Sequence, residues 1–192
     1  GVDVAIMRTN GVACIDTLSA LVQVTLAKER FAQANITVEM GSLVFFDAPP
    51  QVDVDNWCMR TSRNSHSLTQ DARSVIHEAI SAVTNGASNR CLIFVPSIRS
   101  APTAEVAGHA TASYWYTDPL DAPYTDHCLI SASQIAPFVS AHELCHALGI
   151  QIHESDKCNL MFSTADCFMD VSASKRLHTE QTRIVRSGEH VQ

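Results

Sequence analysis

His142, Glu143 and His146 form the pattern HExxH within AHELCHALGIQIHESDKCNLM, residues 141–161. Histidines four apart share one face of a helix, with Cβ atoms roughly 5–6 Å apart. Two imidazole nitrogens can then meet one zinc ion at about 2.0–2.1 Å each. Glu143, beside the first histidine, is placed to take a proton from a metal-activated water without binding the metal itself. HExxH alone is moderately specific, because histidines on an amphipathic helix can simply fill space. Two features weigh against that reading here. The helix is otherwise apolar (Phe138, Val139, Leu144, Ala147, Leu148), so two stacked histidines and a glutamate without a shared task would be costly. Gly149 also follows His146 by three residues and accepts the positive φ of a sharp turn that could bring in a third ligand. Just beyond that turn Ile152 cannot bind a metal, whereas His153, Glu154 and Asp156 can.

These residues need a scaffold. VDVAIM and ITVEMGSLVFF read as strands, rich in β-branched and aromatic residues. Between them Asp16–Gln33 reads as a helix with Leu18, Leu21, Val22 and Leu26 as its apolar face and Asp16 as N-cap. SLTQDARSVIHEAISAVTNG predicts a second helix, with Ser67 and Gln70 as a capping box and Gly86 at its C-terminal end. CLIFVPSI and HCLISAS are continuous apolar runs, as expected of strands buried on both faces. GHATASYWYT mixes polar and aromatic residues, which suits a half-exposed edge, and His109 within it reads as a surface histidine. A helix over about Ser133–Leu148 carries HELCH, and HTEQTRIVRSG predicts a short terminal helix capped by Thr179. Strands alternating with helices, then helices alone, indicate an α/β sheet followed by a smaller helical piece.

The 192 residues suit one domain without repeats, and 46% hydrophobic residues can build a real core. With 13 basic and 20 acidic residues the formal charge is −7, which argues against nucleic-acid or membrane-surface binding. No apolar run is long enough for membrane insertion, and no signal peptide is visible. Seven cysteines without a CxxC pair suggest disulfides in a secreted or extracytoplasmic protein, with at most six paired. Cys158 and Cys167 could be bridged around residues 159–161, and Cys145 is expected as the unpaired thiol in the core.

HELCHALG, His153 and NLM at 159–161 together resemble the metzincin clan of zinc peptidases, whose pattern is HExxHxxGxxH followed by a methionine-containing turn. The order of strands and helices is similar to that of reprolysin-like members, and LHTEQTRIVRS is similar to the terminal helix after the Met-turn of many bacterial ones. The likeness spans essentially the whole chain, although its strong motifs occupy residues 142–161. It implies a metzincin-like α/β fold: a twisted, mostly parallel five-stranded sheet with one antiparallel edge strand, an active-site helix and a small C-terminal helical subdomain. Residues 1–192 would form a single catalytic domain, with an upper sheet subdomain over about 1–149 and a lower one over about 150–192. The resemblance implies His142, His146 and His153 as Zn2+ ligands, Glu143 as general base and Met161 as the Met-turn residue. It departs from the family in having three residues, Ile150, Gln151 and Ile152, between the glycine and the third histidine, where metzincins have two. The all-histidine precedent and a neutral ligand set favour His153 there. Glu154 stands where astacins carry a glutamate, while Phe162 follows the methionine and no tyrosine occupies the nearby oxyanion-steadying position. Tyr114, Tyr116 and Tyr124 are the tyrosines that remain available.

The implied activity is that of a zinc endopeptidase acting through a Glu143-activated, zinc-bound water. Its protein or peptide substrate would bind as an extended strand along GHATASYWYT, with FSTADCFMD shaping specificity. A pro-segment or additional domains outside this chain are compatible with it. One rival is a zincin with a downstream carboxylate, Asp166, as third ligand. Another is a non-catalytic zinc- or partner-binding module, for which Glu143 would have no use.

Overall fold

The computed structural model describes residues 1–83, 90–156, 159–161 and 177–187. Labels run over these residues: β1 (Val2–Thr9), β2 (Val12–Ala13), α1 (Thr17–Ala32), β3 (Met40–Asp47), α2 (Gln70–Ala82), β4 (Arg90–Val95), β5 (Arg99–Ala101), β6 (Ala104–Glu105), β7 (Gly108–Ala110), β8 (Cys128–Ser131), α3 (Val139–Ala147) and α4 (Thr179–Ser187).

β1 lies between β3 and β4, parallel to both; β4 continues parallel into β8, and β7 closes that side antiparallel to β8. The architecture is therefore mixed α/β around a mostly parallel sheet. Among the described residues the sheet has six strands rather than the expected five, because Asn10 (φ 53°) and Gly11 (φ 79°) turn β1 back on itself and β2 pairs with its end. Both glycine-compatible angles fit a tight hairpin turn.

Strand alternation supplies a core on each face. Val4, Ile6, Leu92, Phe94 and Ile130 face α1 and α3, joined by Met161, Ile184 and Val185. Ala5, Met7, Ile93, Val95 and Leu129 face α2 with Trp57 and Met59. α1 caps as expected, the Ser19 N–H donating to Asp16 Oδ1 at 2.9 Å, but its buried face is Ala20, Val24, Ala27 and Phe31, and the expected Leu18 and Val22 are exposed. It also holds the start of α3, since Gln23 Nε2 donates to the Ala136 carbonyl at 3.0 Å and Ser140 Oγ donates to Gln23 Oε1 at 3.0 Å.

Several local expectations shift. α2 is capped by Thr69, whose Oγ1 accepts from the Ala72 N–H at 3.1 Å, while Ser67 donates to Asp118 instead. α3 begins at Val139 rather than Ser133, because Pro137 disfavours helix for the residue before it. Thr179 is the first residue of α4, not its cap; from inside the first turn Gln181 Oε1 reaches back to accept the His178 N–H at 2.9 Å. Only Gly108–Ala110 of GHATASYWYT are strand, and the chain turns at Ala112–Trp115 with a 2.9 Å bond from the Trp115 N–H to the Ala112 carbonyl.

Cys14, Cys58, Cys91, Cys128 and Cys145 are free thiols. Disulfides among these five are thereby ruled out, against the expectation that up to six cysteines would pair, and the compositional argument for secretion loses that support. Cys145 is buried in the core as expected. Cys158, Cys167, Gly86, Asp166 and the segment FSTADCFMD lie outside the described residues. No helix among the described residues is long and apolar enough to cross a membrane.

Candidate metal centre

α3 puts His142, Glu143 and His146 on its inner side, all three buried. The helix then ends in a double-bonded C-cap: the Gly149 N–H donates to the His146 carbonyl and the Ile150 N–H to the Cys145 carbonyl, both at 3.0 Å. Gly149 takes φ 108°, the conformation such a cap requires and one that a side chain resists. Past it Ile150 turns inward and is fully buried, whereas Ile152 is 68% exposed. The additional residue of the spacer is thus absorbed by pointing Ile152 to solvent, and His153 comes back over the helix.

There His153 Nε2 lies 3.2 Å from His142 Nε2 and 3.2 Å from His146 Nε2. The tautomers follow from the other ring nitrogens. His142 Nδ1 faces the Leu160 carbonyl at 2.9 Å and His146 Nδ1 faces the Ile150 carbonyl at 2.6 Å. A carbonyl only accepts, so both Nδ1 atoms carry the proton and both Nε2 atoms present lone pairs inward. The ligand atoms of the three histidines lie within 4.8 Å of one another, a group able to hold a metal ion. Three neutral imidazoles, two of them fixed by backbone carbonyls, fit Zn2+, which takes imidazole nitrogen in tetrahedral sites with one position left open.

Burial drives the electrostatics. It pushes the His142 imidazole down to about 4, against the Leu160 carbonyl bond that raises it. It likewise pushes His146 well below and His153 below the usual histidine value. Neutral histidine is the form that binds metals. Burial pushes Glu143 up to about 8, opposed by a hydrogen bond from the Ala110 backbone.

Glu143 lies against β7. A Cβ on Gly108 would meet Glu143 Cγ at 2.6 Å and Val139 Cγ2 at 2.8 Å, so only glycine leaves the carboxylate its place. On either side of β7 the backbone groups of Ala107 and Thr111 bond across to Ser131 and His127. By strand alternation Gly108 and Ala110 direct theirs to the open edge, beside Glu143. A cleft of about 590 Å³ runs along that edge, lined by Gly108, Trp115, Glu143 and the three histidines among others.

Met161 is fully buried and packs in the core that α3 shares. Its N–H donates to Asn159 Oδ1 at 2.7 Å, and its carbonyl accepts the Glu154 N–H at 2.9 Å. His109 corrects its sequence reading: it is 9% exposed, its Nε2 lies 2.6 Å from the Tyr116 hydroxyl, and burial pushes its pKa to about 3. Tyr116 is thereby engaged away from the trio, and Tyr124 has its carbonyl bound by Thr111 Oγ1 at 2.7 Å. The Tyr114 hydroxyl donates to the Ile150 carbonyl at 2.9 Å and braces the turn after α3. Gly108 and Trp115, whose ring lies 4.9 Å from that of His146, fall in the stretch read as the substrate edge, and Asn159 in the NLM turn, but neither these three nor Gln181 was given a role of its own.

No family model matches the chain, and no curated protein matches its sequence. Solved structures share its fold. Archaemetzincin from Methanopyrus kandleri superposes with a TM-score of 0.57 at 16% identity, covering 97% of this chain and 93% of that one. Metalloproteinase-II from Bacteroides fragilis gives 0.59 at 12% identity, covering 99% of this chain and 53% of that one. A zinc-dependent peptidase from Methanocorpusculum labreanum (strain Z) gives 0.54 at 10% identity, covering 96% and 100%. At these identities the likeness establishes the fold.

Proposed function

We propose that the chain is a zinc-dependent endopeptidase of the metzincin type, with His142, His146 and His153 as ligands and Glu143 as general base. The observation that carries this reading is the convergence of three imidazole Nε2 atoms beside a buried glutamate at an open strand edge. The peptidases that share the fold support it. A bound Zn2+ would supply a Lewis acid that acidifies a water and polarises the scissile carbonyl. Glu143, beside His142 and at the strand edge, would take the proton of the attacking water and return it to the leaving amine. Gly108 and the Ala110 carbonyl, facing away from β8, bind the backbone of an extended protein or peptide substrate whatever its side chains. Recognition through backbone favours internal bonds, hence the endopeptidase assignment. Met161 forms the apolar floor below the ligands.

The carboxylate rival loses its motive, because His153 already provides a third nitrogen. A purely binding module would leave Glu143 without employment. Glu143→Ala should abolish digestion of casein while the protein keeps one zinc per chain, and His153→Ala should lose the zinc. Digestion that survives Glu143→Ala would sink the mechanism.

A further inference from the structure

The side chain of Gln181, on α4, is 5% exposed and reaches three separate segments. Its Oε1 accepts from Asn159 Nδ2 at 2.9 Å and from the His178 N–H at 2.9 Å. Its Nε2 donates to Glu154 Oε1 at 3.2 Å. The amide orientation is dictated rather than assumed: the His178 backbone N–H can only donate, so Oε1 must face it and Nε2 must face the Glu154 carboxylate. Asn159 is fixed in the same way, since its Oδ1 accepts the Met161 N–H and its Nδ2 is left for Gln181.

Two of these partners, Glu154 and Asn159, adjoin the histidine trio or a group that orients it. Glu154 directly follows His153, whose loop lies beyond the end of α3 and has no helix to hold it. Asn159 shapes the turn in which Leu160 offers its carbonyl to His142 Nδ1 at 2.9 Å. The Glu154 N–H to Met161 carbonyl bond at 2.9 Å links loop and turn directly. We propose that Gln181 is a positioning residue for the metal centre: one buried amide ties the His153 loop and the Leu160 turn together and so sets how tightly the metal is held. This rests on the reading that the three histidines bind zinc. Groups one step removed from ligands commonly change metal affinity by about 10–100-fold, and a ligand on a loop depends on such support more than the two fixed on a helix.

The role demands an amide, because the site needs an acceptor on one end and a donor on the other. Gln181→Glu keeps the shape and the acceptor but sets a second carboxylate against Glu154. Zinc affinity of the full chain is read by competition with a chromogenic chelator, with the melting temperature of the metal-free protein as the folding control. Gln181→Glu should raise the zinc Kd about 10–100-fold. The exchange Glu154→Gln with Gln181→Glu reverses donor and acceptor, restores the pair, and should recover most of the affinity. Wild-type affinity in Gln181→Glu, or a lowered melting temperature without a change in Kd, would overturn the proposal. So would an exchange variant that folds but stays as weak as Gln181→Glu. Failure of the unmodified chain to take up zinc would instead overturn the ligand assignment itself, and this inference with it.

Discussion

Gly108→Ala tests the placement of Glu143 without touching any charged or metal-binding group. Gly108 does not need positive φ, so alanine is conformationally acceptable there and the effect is steric. The new methyl would stand 2.6 Å from Glu143 Cγ, 2.8 Å from Val139 Cγ2 and 2.9 Å from Glu143 Oε1. Non-bonded carbons pack at about 3.5–4.0 Å, so the glutamate must retreat by about 0.9 Å. Overpacking of this kind costs about 1–3 kcal/mol, and a domain of this size loses about 2–4 °C in Tm per kcal/mol. A displacement near 1 Å of a reacting group lowers kcat about 100-fold. His142 and His146 are anchored from their far sides by the Leu160 and Ile150 carbonyls, so zinc content should stay at the wild-type level. The assay is kcat on a fluorogenic peptide, with zinc quantified in the same preparation. Wild-type kcat and Tm in Gly108→Ala would refute the argument, and so would a fall in kcat that merely tracked lost zinc.

Three further outcomes follow from other parts of the molecule. Arg73 Nε meets the fully buried Asp121 carboxylate at 2.7 Å, so Arg73→Met strands a buried charge and should destabilise by about 3–5 kcal/mol, read by urea denaturation. Tyr114→Phe removes the brace on the Ile150 carbonyl and should cost about 1 kcal/mol of stability by the same assay, while the His146 bond to that carbonyl persists. His127 is pushed by burial from 6.5 to about 4, and its Nδ1 accepts the Cys91 N–H at 3.2 Å. As pH falls below 6.5 the unfolded chain takes this proton first and the folded one does not until about 4. Stability therefore drops across that window by up to about 1.4 kcal/mol per pH unit. His127→Asn should flatten the Tm profile between pH 6.5 and 4, and an unchanged slope would contradict the assignment.

What the sequence disclosed, and what it withheld, divides by the range of the forces involved. The HELCH helix face, the Gly149 turn and the Asp16 cap are local: spacing and one residue's φ decide them, so they could be read directly. The Ser133 boundary was also local, and Pro137 was the overlooked sign. His153 required only that a short loop absorb one residue, and it did so by the cheapest route, turning Ile152 outward where no packing is lost. Long-range contacts are different in kind. Gly108 matters because a helix begun some 30 residues later crosses its strand, and Gln181 matters because its amide meets two loops that precede it by 22 and 27 positions. His109 looked like a surface histidine because its burial depends on Tyr116, which reaches it only once the chain after β7 turns instead of continuing as strand. The chemistry of this site is therefore written in a short motif, but its precision is distributed over residues that acquire meaning only when the sheet and α4 are in place.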